Sequence, residues 1–302
     1  MIKALAVVVA TLALAGATGR SPRVAGCLLF PPDNPWNQRV DRLPVAGNSA
    51  AIIDSIGAGT GLHPDFGSGL WDGAPIGIPI TVARAGVPKS HVSFDYADES
   101  DRGPYPIPAN VKIEGGSDRH ALIVDSSTCR LYELYALQRS RGGWHAGSGA
   151  IWNLRSNRVR PAGWTSADAA GLPILPGLVR WSDVAQGHID HALRFTVGRT
   201  RRAYVYPARH YASDLTDANL PPMGLRVRLR ADYPVAGFPL QARIVLAALK
   251  KYGMIVADNG TNWYITGEPS SHWSNDDLHT LGRVPGSAFE VVDTSSLRPH
   301  AK

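Results

Sequence analysis

The sequence predicts a mainly β protein: a single large, jelly-roll-like β-sandwich domain with a few short peripheral helices. Three observations carry this. Short apolar runs with period-two alternation recur along the chain, most clearly in Arg226-Val227-Arg228-Leu229-Arg230. Clusters of Gly, Pro, Asn, Asp and Ser punctuate them at the spacing a sandwich requires. One long stretch, 240–251, instead carries its apolar residues at helical spacing.

Residues 1–17 read as a cleavable signal peptide, with Lys3 as the positive region, 4–15 as the apolar core and Ala15-Gly16-Ala17 at the cleavage site. The run is too short to span a bilayer and no later stretch is longer, so a secreted, extracytoplasmic chain without a membrane span is expected. Val24-Ala25-Gly26-Cys27 offers a lipoprotein-like pattern, but Arg20, Ser21, Pro22 and Arg23 separate it from the apolar core. A disulfide between Cys27 and Cys129, the only two cysteines, is the more economical use of Cys27.

Residues 18–44, with Pro31, Pro32, Pro35 and Trp36, form an extended arm, and 45–302 the β-rich domain. Asn48 can cap a short helix that Gly57 ends, and glycines then mark a long loop carrying Trp71. Strands are expected over 76–82, 92–95, 120–125, 130–135, 144–152, 193–197, 203–206, 225–230 and 289–292. Ser126-Ser127-Thr128 makes 120–135 a hairpin in which 120 pairs near 134, and Asp258-Asn259-Gly260 predicts a strand–turn–strand over 254–265. A short helix is expected at 182–186, and Asn275-Asp276-Asp277 can cap a last one.

The formal charge of +6 comes from arginines scattered between acids. The one dense cluster, Arg199-Thr200-Arg201-Arg202, reads as a solvated face, and export argues against nucleic acid as a partner. A monomer without cofactor is expected.

Cys27 through Pro35-Trp36-Asn37, the run 92–100, Tyr132-Glu133-Leu134-Tyr135, Gly143-Trp144-His145-Ala146, Ile189-Asp190-His191-Ala192-Leu193, Tyr206-Pro207-Ala208-Arg209-His210-Tyr211 and 251–258 resemble a family of secreted bacterial hypothetical proteins. The resemblance spans the mature chain. It implies one exported domain starting near Cys27 and no particular activity.

Chemistry therefore has to come from the residues. No Gly-x-Ser-x-Gly elbow, His-Glu-x-x-His, phosphate-binding glycine loop or EF-hand loop is present. Glu133 shares a strand face with Leu131 and Tyr135, where partial burial would raise a glutamate towards general-acid duty. In His188-Ile189-Asp190-His191, strand alternation sets His191 opposite His188 and Asp190; this suits an Asp–His proton-transfer pair better than a metal site built from His188, His191 and His210. Catalysis is thus expected from Glu133, Asp190, His191 and His120. Substrate contacts are expected from Trp144, His145, Arg209, His210, Tyr211 and Trp263. Asp258 reads as a turn former that could serve as a second carboxylate.

Eight tryptophans, with Trp36, Trp71, Trp164, Trp263 and Trp273 in loops or beside turns, suggest platforms for sugar rings. The expected activity is cleavage of glycosidic bonds in a polysaccharide by carboxylate and histidine acid–base chemistry. The alternatives are a non-catalytic carbohydrate- or wall-binding protein, and a lyase acting on a uronate polymer with His191 or Tyr211 as base.

Overall fold

The computed structural model describes residues 21–297, so the signal peptide expected over 1–17 lies outside the described residues. In chain order the principal elements are α1 (Ser49–Ile56), β1 (His63–Asp65), β2 (Ile80–Ala83), β3 (Ala121–Asp125), β4 (Arg130–Tyr135), β5 (Ser148–Asn153), α2 (Trp181–Ala185), β6 (Leu193–Val197), β7 (Arg226–Leu229), α3 (Leu240–Lys251), β8 (Met254–Asn259), β9 (Tyr264–Thr266), α4 (Asn275–His279) and β10 (Phe289–Val291). One sheet has the order β5-β4-β3-β2, and the other β10-β7-β8-β6-β9-β1.

The two sheets share a core. Leu122, Val124, Leu131 and Trp152 of the first belong to the same buried cluster as Leu193, Phe195, Val227 and Met254 of the second. This makes the fold mainly β and sandwich-like, with short helices outside. The connectivity is not the all-antiparallel one of a jelly roll, because β2–β3, β6–β8 and β9–β1 pair in parallel. Parallel neighbours need long crossovers, which the 84–120 connection provides for β2–β3.

The β3–β4 hairpin forms, with Leu122 opposite Glu133 and Ala121 opposite Leu134. Its register is one residue from the predicted pairing, because four residues, ending in Cys129 at φ 52°, make the turn. His120 therefore lies against the Tyr135 ring, with centroids 5.7 Å apart. Cys129 is joined to Cys27 by a disulfide across a sequence separation of 102 residues, which ties the arm to this hairpin.

Both faces of β4 are buried. Leu131 faces the shared core, while Tyr132 and Leu134 face a second, smaller cluster with Tyr105, Ile123 and Trp144.

Other boundaries moved. The predicted 144–152 strand splits into Gly143–Ala146 and β5, which lie in different sheets. The break is at Gly147, where a Cβ would sit 2.6 Å from the Tyr135 ring. Residues 203–206 contribute only a single bridge, Tyr204 to Met223. β8 and β9 do not form a hairpin, since β6 lies between them, parallel to β8 and antiparallel to β9.

Helix α3 buries Ala242, Val245, Leu246 and Leu249 and packs on β7. Trp263 is fully buried, stacked between Phe195 and Phe289, and Trp36 and Trp273 are also core residues. Of the five expected platforms, Trp71 is exposed and Trp164 is half-buried. An indole beside a turn can still point inward, because its large apolar area rewards burial.

Candidate active site

A cleft of about 350 Å3 opens where the two sheets meet. Tyr135 at the end of β4, Ser148 at the start of β5, and Asp258 and Asn259 at the end of β8 line it, together with loop 165–169, Tyr96, Glu99, Asp118 and His210. The loop is firmly held. Ser166 Oγ accepts from the Asp168 N–H at 2.9 Å, and the Ala170 N–H donates to the Ala257 carbonyl at 2.9 Å. Gly171 follows at φ 67°, and a Cβ there would lie 2.4 Å from the Trp164 carbonyl.

Beneath the cleft, Arg194 of β6 is buried and grips Asp168 with two hydrogen bonds, Nε to Oδ2 at 3.0 Å and Nη2 to Oδ1 at 2.7 Å. Its Nη1 donates to Thr266 Oγ1. Asp168 in turn bears on the neighbouring Asp258 carboxyl. Two adjacent carboxyl groups cannot both ionise cheaply. Burial, followed by the charge of Asp168, pushes Asp258 up to about 8, against the opposing charges of Arg194 and His120. Asp258 therefore favours its protonated form at neutral pH, and Arg194 supplies the positive partner of Asp168.

The peptide of Ala169 orients two groups at once. Its N–H donates to Asp258 Oδ2 at 3.3 Å, and its carbonyl accepts from His210 Nδ1 at 2.7 Å. The Nδ1 proton is so placed, and His210 Nε2 lies 3.8 Å from Glu99 Oε2. The same Glu99 oxygen accepts from the Thr165 N–H at 2.9 Å. A carboxyl group raised by burial and the adjacent Glu99 and His210 side chains thus line one cleft.

His120 anchors this loop from behind. Its Nδ1 meets Glu114 Oε2 at 2.5 Å and its Nε2 donates to the Ala167 carbonyl at 3.1 Å. Burial lowers the imidazole, but the hydrogen bond and charge of Glu114 outweigh it and the net direction is up.

The residues singled out in the sequence are dispersed. Glu133 is fully buried and off the cleft; it accepts from the Ile174 N–H at 3.0 Å, the Leu175 N–H at 2.9 Å and Trp152 Nε1 at 3.1 Å. Burial pushes it up to about 7, as the sequence reading anticipated, but in the core rather than on a concave face. His191 is fully buried beside Asp183, and Asp190 pairs with His188 and Lys251, on a bend that precedes β6. None of Glu133, Asp190, His191 and His120 lines the cleft.

His210 does line it, and Tyr211 stacks on His210 with ring centroids 5.9 Å apart. Arg209 donates to the Arg160 carbonyl, Trp144 is buried under the Arg139 guanidinium, and His145 lies between Ser93 and Asp95. His188, His191 and His210 each face a different carboxylate, and among the described residues no three His, Cys, Asp or Glu side chains converge on a metal position.

Asp168, Arg194 and Glu99 escaped the sequence reading. Arg194 carried a usable signal: it interrupts the apolar run Leu193-Arg194-Phe195, and a charge in a buried strand requires a buried partner. No family model, curated protein or solved structure matches the chain, so the reading of this cleft rests on its own residues.

Proposed function

We propose that the protein is an extracytoplasmic polysaccharide hydrolase that works in this cleft, with Asp258 as proton donor and Glu99, flanked by His210, as base. The observation that carries it is the Asp258 carboxyl, buried beside Asp168 and Arg194 and so pushed up to about 8, in the same open cleft as Glu99 and His210. In the reaction Asp258 gives its proton to the glycosidic oxygen as the bond from that oxygen to the anomeric carbon breaks. A water oxygen bonds to that carbon, and Glu99 takes the water's proton. The Tyr96 and Tyr135 rings line the cleft, where they can pack on sugar faces. The Cys27–Cys129 disulfide supports an oxidising compartment.

The cleft's charge bears on the substrate. Its lining includes Glu99, Asp118, Asp168 and Asp258 but, among the described residues, no Arg or Lys. This favours neutral or amino sugars over uronates, and so favours hydrolysis over the lyase alternative. The test is incubation with neutral, amino-sugar and uronate polysaccharides, followed by reducing ends and by the ultraviolet absorbance of unsaturated products. New reducing ends that Asp258→Asn abolishes support the reading; unsaturated products, or full activity in that variant, overturn it.

A non-catalytic binding role has one observation in its favour: Leu70 and Trp71, 67% and 79% exposed, form an apolar tip on a two-stranded ribbon. It predicts polysaccharide retention that Trp71→Ala removes, with no product formed.

A further inference from the structure

The basic cluster 199–202 is not one solvated face. Arg199 and Arg202 are exposed, but Arg201 turns into a second cavity, of about 370 Å3, lined also by Asn48, Tyr206 and Arg226. Four features converge there. Arg226 is a guanidinium only 2% exposed, and no carboxylate among the described residues pairs with it. Its N–H groups reach the carbonyls of Tyr252, Pro35 and Gln38, which satisfy hydrogen bonds but do not neutralise charge. The Arg201 Nε and the Tyr206 hydroxyl are buried and have no hydrogen-bond partner. Finally, Asn48 occupies the N-cap position of the eight-residue α1 without a side-chain cap, so the positive end of that helix stays uncompensated at the cavity.

A buried cation without a counter-charge and orphaned buried donors are each strongly disfavoured. A negatively charged ligand in the cavity would place a counter-charge beside Arg201 and near Arg226, at the open end of α1. We infer that this cavity is an anion-binding site that takes an oxyanion group, a carboxylate, sulfate or phosphate, between Arg201, Tyr206 and the N-terminus of α1 over the buried charge of Arg226. Asp293 also lines the cavity, but it is exposed to solvent and its Oδ1 accepts from the Ser295 N–H. The site does not depend on the hydrolase reading, since it shares no lining residue with the cleft.

The test is calorimetric titration of the purified protein with sodium sulfate, phosphate and acetate, at ionic strength held constant with chloride. Saturable one-to-one binding of at least one of the three is expected, and their order separates tetrahedral from planar oxyanions. Arg201→Gln and Tyr206→Phe should each weaken it about tenfold or more, as loss of one charge-assisted hydrogen bond does, while Arg199→Gln leaves it unchanged. Thermal melts without ligand show that each variant is folded, and Tyr206→Phe, which removes only an oxygen, keeps the test open if Arg201→Gln is unstable. Absence of saturable binding for all three anions, or equal binding by wild type and the folded variants, overturns the inference.

Discussion

Replacing Glu133 by Gln separates a structural carboxyl group from a catalytic one. Burial pushes this group up to about 7 in the folded protein, from an ordinary 4.5. A raised folded value means that its contribution to stability is full below about pH 4.5 and is lost as pH rises through about 7. The gap corresponds to about 3 kcal/mol. Glutamine does not titrate, so the stability of wild type relative to the variant should fall by about that amount from the acidic to the alkaline end of the range, enough to cancel or reverse its advantage.

A constant offset accompanies it. One side of the glutamine is an NH2 group, which cannot accept from the Ile174 and Leu175 amides and the Trp152 indole as both carboxylate oxygens do. Leaving one of those donors unpaired costs about 1–3 kcal/mol at any pH. Guanidinium unfolding followed by tryptophan fluorescence, repeated from acidic to mildly alkaline pH, measures both. Parallel wild-type and variant curves would refute the reasoning. So would a folded Glu133→Gln protein that has lost all product formation, because the group lies off the cleft.

Three further outcomes follow from the same network. Hydrolysis should decline as pH rises through about 8, where Asp258 loses its proton, and Asp258→Asn should lower the rate about 10²–10⁴-fold at neutral pH while its melting transition stays cooperative; a pH–rate profile checks both. Arg194→Met strands Asp168 as a buried, unpaired carboxylate and should destabilise the fold by about 3–5 kcal/mol in denaturant titrations. Replacing Cys27 and Cys129 together by Ser reopens a loop of 102 residues and should cost about 4–5 kcal/mol, seen as a lowered melting temperature that reductant reproduces in the wild type but not in the variant.

Much of the local structure was legible in the sequence. Turn chemistry at 126–128 marked the β3–β4 hairpin, apolar spacing over 240–251 marked α3, and two cysteines in a chain with an export-like N-terminus marked the disulfide. These depend on neighbours along the chain or on elimination. Pairing between distant strands does not, and this is why the hairpin expected at 254–265 instead straddles β6.

The candidate site was less legible, for the same reason. Glu133 was expected on a concave face, raised by partial burial; burial does raise it, but alternation on β4 could not say whether its face opened on solvent or on the core. The cleft unites Glu99, Asp168, His210 and Asp258 from four separate segments, and Asp168 receives its counter-charge from Arg194 on a fifth. By itself the sequence determined much of the local structure, such as the β3–β4 hairpin and α3, because backbone preference and apolar periodicity act over a few residues. Only the tertiary structure decided which charges would meet, because a carboxyl group is made acid, base or buried anchor by partners that the fold brings from far along the chain.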